Sequence, residues 1–467
     1  MSARDDRAGR LPVWLLLGMA LLAVVGTFAY RALPRPGAQP AGQTTAVPGK
    51  PVQMEPAEIL RALPPPAGDS ASDNAIAKWA GAAGKNPGDF NAWLRLGDAL
   101  AQKFRDTLDQ SYYPHAERVY RQALTINPRA VEALTGLAWV YGSRHEFEQS
   151  ADWARQALEI DKENPAAFGL LGDAALELGD YDAAHGHYQK MLDLRPDLSS
   201  YSRGAQLLWV TGDARKAKWL MEKAIKTGAP YAENTTWCQV QLALMLFNEG
   251  ALLPATQLVE TALEKSPRHE PALLAAGRFA AARKDFVAAL GLYQRALESR
   301  PSHEALVGLG EACELAGEGA EAARYYAEVE ALHDRERGAD GHDHMQMARF
   351  YADHDRNLIE ALRMAEQRKL TRNVFEADVL AWVYYKNGHY PRAQAAIERA
   401  LSQGTPDARI FFHAGMIAAA SGDAHTARQH LQRALSLNPN FSPRHAPLAV
   451  QKLAELEPGL QRAVSER

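Results

Sequence analysis

The segment AASGDAHTARQHLQRALSLNP, Ala419 to Pro439, repeats the plan of LELGDYDAAHGHYQKMLDLRP, Leu176 to Pro196. Each carries Gly-Asp near its start and Ala at its ninth position. A large apolar residue follows four positions on, Leu431 or Tyr188, and a Pro closes the stretch. Self-similarity of this kind marks a structural unit stacked on copies of itself.

Working outward, a Gly or Ala precedes each such turn at Gly97, Ala138, Gly172, Ala205, Ala243, Gly277, Gly310, Ala348, Ala381 and Gly415, mostly 33 or 34 residues apart. Twelve residues later stands Ala184, Ala217, Ala255, Ala289, Ala322, Ala393 or Ala427, with Ser150 in its place once, Ala361 displaced by one, and Ala116 reached after a seven-residue insertion. Four positions further on lies a larger residue such as Tyr120, Tyr188, Tyr293 or Tyr326. Two small residues let two helices approach, and the larger one fills the space beside them. Proline ends the second helix because its ring and missing N–H cannot continue the ladder. Stacked pairs bury a core that no single pair could bury alone.

The period, the small–small–large pattern and the turn in LGDYDAA resemble tetratricopeptide repeats. The resemblance covers ten units from about Asn74 to Pro439, with NAIAKWAGAAGKNP as a leading half-unit and APLAVQKLAEL as a closing helix. It implies an all-α solenoid over residues 74–456, helix pairs winding into a right-handed superhelix. Its pattern lapses at EALHDRERGADGHDHMQ, Glu330 to Gln346, and the eighth unit that follows is the least regular.

Composition agrees with a large helical array. The 467 residues exceed one ordinary core, and 47% hydrophobic content excludes wholesale disorder. A net charge of −4 gives no general attraction to nucleic acid, so none is expected as a partner. The two cysteines, Cys238 and Cys313, fall in different units and form no CxxC or haem-attachment motif.

The ends of the chain carry a different message. LPVWLLLGMALLAVVGTFAY, residues 11–30, runs without a charge for a length that spans a bilayer core as a helix. It is expected to be a transmembrane helix held in the lipid bilayer, behind a short cytoplasmic tail at 1–10. The competing expectation is a cleaved signal peptide, for which Thr27 to Ala29 is a poor cleavage site. Residues 31–73 form a Pro-rich linker, within which AEILRAL, Ala57 to Leu63, could be helical, and 457–467 form a tail. The Ala- and Arg-heavy composition fits a bacterial protein. The expected location is therefore the bacterial inner membrane, single-pass, with the repeats in the periplasm.

No catalytic template is met. GxxxxGK[ST], GxSxG and HExxH are all absent, so no enzyme activity and no cofactor are expected. His342, His344 and His354, with Asp343, Asp353 and Asp355 nearby, are the weak metal candidates, read in the first instance as a solvated loop.

The resemblance implies that the first helices line a concave groove for a protein or peptide partner. Groove positions five and nine of each unit never carry the Lys and Asn with which chaperone-binding members hold a C-terminal carboxylate. Aromatic residues instead fall on groove positions two, five, nine or twelve: Trp139, Trp209, Trp237, Phe247, Phe375, Trp382, Tyr385 and Phe412. Such side chains suit apolar and stacking contacts. An open patch of Phe375, Trp382, Tyr385 and Phe412 is expected in units nine and ten. The functional expectation is a non-catalytic scaffold or adaptor in the cell envelope. The alternative is an envelope assembly factor or chaperone of the translocation, cytochrome-maturation or outer-membrane type.

Overall fold

The computed structural model describes residues 54–65, 68, 70–107, 109–228, 232–336 and 344–456. The expected bilayer helix at 11–30, most of the linker, His342, Asp343 and the tail at 457–467 lie outside them. Among the described residues no helix is long and apolar enough to cross a membrane.

Helices α1 (Pro56–Arg61) and α2 (Ala71–Lys85) lead in, α1 resting on α2 and α4. Ten antiparallel pairs follow. Units one to four are α3 (Phe90–Thr107) with α4 (Tyr112–Ile126), α5 (Val131–Ser143) with α6 (Phe147–Ile160), α7 (Pro165–Glu177) with α8 (Tyr181–Leu194), and α9 (Leu198–Val210) with α10 (Ala214–Thr227). Units five to seven are α11 (Ala232–Asn248) with α12 (Leu252–Lys265), α13 (Glu270–Ala282) with α14 (Phe286–Ser299), and α15 (His303–Leu315) with α16 (Gly319–Glu336). Units eight to ten are α17 (His344–Asp353) with α18 (Leu358–Ala365), α19 (Val374–Lys386) with α20 (Tyr390–Leu401), and α21 (Ala408–Ala420) with α22 (Ala424–Leu437). Helix α23 (His445–Glu455) closes the array.

The repeating turn has a physical cause. Gly179, Gly212 and Gly422 adopt φ of +73°, +88° and +85°, reversing the chain after the first helix. The Asp that follows caps the second helix: Asp180, Asp213 and Asp423 accept from the backbone N–H of Ala183, Lys216 and Thr426 at 3.2, 3.1 and 3.0 Å. Units two and six place His145 and Lys284 at the same left-handed position, with φ of 60° and 62°.

The small–large register is sterically obligatory. A Cβ added at Gly172 would lie 2.3 Å from the Tyr188 ring, and one at Gly310 2.3 Å from Tyr326. Tyr120 and Tyr293 are each held from two sides. Added Cβ atoms at Gly97 and Gly136 would both meet Tyr120 at 2.5 Å, and those at Gly277 and Gly308 would meet Tyr293 at 2.7 and 2.6 Å. One ring thus joins the first helix of its own unit to that of the next. Ala184, Ala217, Ala255, Ala289, Ala393 and Ala427 are buried at the matching contact.

Irregularities fall where the sequence pattern lapses. The insertion in unit one lengthens α3 to 18 residues. In unit eight Asn357 takes φ 37°, α18 shrinks to 8 residues, and a 3-10 turn at Glu366–Arg368 follows; Ala361, displaced by one, is still buried.

Successive turns of the superhelix touch. Asn373 Nδ2 donates to the Glu177 carbonyl at 3.2 Å and the Val374 N–H to Tyr181 Oη at 2.9 Å, joining unit nine to the turn of unit three. Thr405 Oγ1 donates to the Val210 carbonyl at 2.5 Å, joining the start of unit ten to unit four. Asn438 Nδ2 donates to the Phe247 carbonyl at 2.7 Å, joining the end of unit ten to unit five. These partners lie 196, 193, 195 and 191 residues apart. Six units therefore complete one turn.

Candidate functional site: the concave cleft

The first helices α3, α5, α7, α9 and α11 wall a cleft of about 900 Å³ on the concave side, lined among others by Gln102, Arg105, Trp139, Asp173, Arg203 and Trp237. A second hollow of about 300 Å³ adjoins it, sharing Trp139, Ser199 and Arg203 and adding Asp98 and Glu132.

Its polar floor is organised before any partner arrives. Arg203 is bidentate on Asp173, with Nε–Oδ1 and Nη2–Oδ2 both 2.8 Å, and also engages Ser199. The Tyr188 hydroxyl donates to Asp173 at 2.8 Å, and burial together with that carboxylate holds the phenol well above its usual range. Asp98 accepts from Tyr120 at 3.1 Å, while burial, outweighing the Tyr120 bond and the charges of Arg95 and Arg105, raises its pKa. Glu233 is raised by burial too, with Arg105 opposing. The cleft thus offers arginines, partly desolvated carboxyls and two indoles to an extended ligand.

The structure divides the eight groove aromatics. Trp139 and Trp237 are half-buried on the cleft wall. Trp139 meets Phe104 edge-on at 5.8 Å with Arg105 over its ring at 5.1 Å. Trp209 and Phe247 are buried, 5% and 1% exposed, and Phe247 stacks on Phe279 at 4.8 Å. Phe375 is half-buried and packs against the buried cluster that holds Tyr181 and Tyr188 of unit three with Val374.

The expected open patch in units nine and ten is corrected. Trp382 and Phe412 are 3% and 0% exposed. Trp382 lies between Tyr385 at 4.8 Å and His413 at 4.2 Å, and Phe412 stacks on His445 at 5.1 Å. The reason is the closing helix. His445 at the start of α23 covers both aromatics, and Arg444 before it reaches across to Glu314 of unit seven at 2.6 Å.

The metal candidates separate. His354 donates from Nδ1 to the Phe350 carbonyl at 2.8 Å, and its Nε2 lies 3.3 Å from Glu311. His344 lies beside His333, itself beside His303, with ring centroids 6.2 Å apart in each pair. Asp353, named only as a neighbour of those histidines, instead faces His413 and His445. Sequence reading missed Asp173, Arg203 and these two histidines as partners. Their only signal is a polar residue on the inner face of a first helix. Both cysteines are buried free thiols, and burial pushes Cys238 up to about 12.

The family comparison agrees with this architecture. The tetratricopeptide repeat family profile matches at residues 102–165, 145–199, 255–303, 271–336 and 379–440, together more than half of the chain. The general transcriptional corepressor trfA of Dictyostelium discoideum is 29% identical over 73 residues, 16% of this chain and 5% of that protein's length. Among solved structures, the human IFIT1 dimer aligns with a TM-score of 0.43 at 15% identity, covering 82% of this chain and 94% of the other. Yeast Tom70 gives 0.36 at 12% identity, covering 85% and 96%. Pseudomonas aeruginosa pilF gives 0.35 at 21% identity, covering 48% and 96%. With its ten helix pairs and the family profile recurring along them, the chain belongs to the tetratricopeptide repeat family.

Proposed function

We propose that this chain is a membrane-tethered scaffold of the bacterial cell envelope, and that the concave cleft of units one to five seats an extended segment of a protein partner. The single observation that carries the reading is the contrast between the two halves of the groove. In units eight to ten the inner face is filled by Trp382, Phe412 and the start of α23, whereas α3 to α11 leave a cleft of about 900 Å³ with Trp139 and Trp237 on its walls. Half-open indoles beside arginine side chains are the composition that protein interfaces favour. The charge-free stretch at 11–30 supports the tether, and the Pro-rich segment after it supports a repeat domain held off the membrane.

The cleft is tested by selecting peptides from a displayed random library on the full-length protein. Selected peptides should lose binding to the Trp139→Ala/Trp237→Ala variant by about 2 kcal/mol or more, the size of a central aromatic anchor. Its melting midpoint should stay close to the parent's. Peptides that bind parent and variant alike would move the site elsewhere. The tether is tested separately: the full chain should remain with membranes after carbonate washing, and a C-terminal reporter should be active only outside the cytoplasm.

A further inference from the structure

Three first helices and the closing helix at the C-terminal end of the array bring acidic and imidazole groups to one buried point. Asp353 ends α17, Asp378 lies in α19, His413 in α21, and His445 begins α23. His413 Nδ1 is 2.8 Å from Asp378 Oδ1, with both side chains almost wholly buried. An ionised carboxylate only accepts, so Nδ1 carries the proton, and in the neutral ring the lone pair is on Nε2. That Nε2 is buried without a hydrogen-bond partner, and so is Asp353 Oδ1. His445 Nε2 stands 4.0 Å from Asp353 Oδ1, beyond hydrogen-bond reach. One ligand atom from each of Asp353, His413 and His445 lies within 4.8 Å of the other two.

A buried lone pair and a buried carboxylate oxygen left facing each other unpaired are costly, and such pairs call for an occupant. We propose that Asp353, His413 and His445 bind a divalent first-row transition ion, with Asp378 orienting His413 from behind. Two imidazoles and one carboxylate are an ordinary ligand set for zinc and its neighbours, and a carboxylate behind a ligating histidine is the usual outer support. Tetrahedral coordination at about 2.0–2.2 Å brings ligand atoms to roughly 3.3–3.5 Å of each other. The three groups must close by about 1 Å on binding. Their rings are already oriented, since His413 stacks on Trp382 at 14° and His445 on Phe412 at 16°.

The surrounding charges are compatible with an ion. Arg349 Nε lies 3.4 Å from Asp353 Oδ2, and Arg409 Nε 3.7 Å from Asp378 Oδ2, so the arginines occupy the outer oxygens and leave the inner ones to the histidines. His354 faces Glu311. Arg349, still 43% exposed, marks the solvent side by which an ion could enter. Bound there, an ion would staple the closing helix to units eight and ten.

The test uses the full-length chain in detergent, stripped with EDTA and titrated with Zn²⁺ alone and then with Co²⁺ alone. One equivalent of Zn²⁺ should bind and raise the melting midpoint, and Co²⁺ should show ligand-field bands with two imidazoles by X-ray absorption. Asp378→Asn, which leaves all three ligands in place, should weaken Zn²⁺ binding about 10–100-fold. His445→Gln should abolish stoichiometric uptake, while His344→Gln and His333→Gln should leave it unchanged. No bound equivalent, or one held with fewer than two imidazoles, overturns the proposal. So does binding that survives His445→Gln and disappears in His344→Gln. Should His445→Gln fail to fold, the wild-type absorption spectrum together with the His344 and His333 variants decides.

Discussion

At the scale of single residues, what a side chain does here depends on which helix faces it rather than on its position in the unit. Trp382 and Trp139 both occupy groove position nine. Trp139 stays half-open on the cleft, whereas Trp382 is sandwiched between Tyr385 and His413. Trp382→Ala should therefore empty a core site and destabilise the protein by about 3–5 kcal/mol. Chemical denaturation measures it, and an unchanged midpoint would return Trp382 to the open groove. Glu117 makes a second residue-scale case. Burial alone would raise its pKa, but hydrogen bonds from Arg121 and Tyr141 and the charges of Arg121 and Arg144 outweigh burial and hold it below the usual range. A depressed carboxylate stabilises the folded state above its unfolded value of about 4.3 and loses that contribution as pH falls through the folded value. The stability gap between wild type and Glu117→Gln should be widest near neutral pH and shrink on acidification. A gap that is constant with pH would show that the carboxylate's charge plays no part.

At the scale of the element, the turn between paired helices is the unit of local design. It needs one left-handed residue and then a cap. Six glycines supply the first requirement, and Lys284 supplies it in unit six against its own preference, at φ 62°. Left-handed backbone costs a non-glycine residue roughly 1–2 kcal/mol, and glycine gives back roughly 0.5–1 kcal/mol through its larger unfolded-state entropy. Lys284→Gly should accordingly raise stability by about 0.5 kcal/mol, read from the denaturation midpoint. His145→Gly should gain less, because His145 packs edge-on against Phe147 at 5.6 Å and that contact would be lost. A fall in stability for Lys284→Gly would mean that the Lys284 side chain makes a compensating contact.

At the scale of the molecule, the same turn takes on a second role wherever successive superhelical turns meet. Gly422 and Gly179 hold equivalent positions, with φ of +85° and +73°. An added Cβ at Gly422 meets nothing within 4 Å, whereas one at Gly179 would lie 2.3 Å from the Arg372 backbone of unit nine. Gly422→Ala should cost about 0.5–1 kcal/mol, the left-handed strain less the unfolded-state entropy that alanine saves. Gly179→Ala should cost more and speed amide exchange at Val374, whose N–H is held by Tyr181. Equal losses at the two glycines would mean that the turns do not touch in solution. The contrast isolates the closure of the superhelix from the stability of its units.

How much was legible follows from the range of each interaction. The sequence alone determined the ten helix pairs, the register that seats Tyr188 on Gly172, and the capped turns, because each of these is settled within one unit or between neighbours. The cleft was legible as a face, through the groove aromatics Trp139 and Trp237, but its boundary was not. Nor was the meeting of Asp353, Asp378, His413 and His445, which stand on four different helices, or the burial of Phe412. Only the tertiary structure decided these, since each unit adds a small rotation to the last and the rotations accumulate over six units before unit three meets unit nine. No residue pair in the sequence encodes that sum, so the pitch of the superhelix settled which aromatics face solvent and which are closed inside.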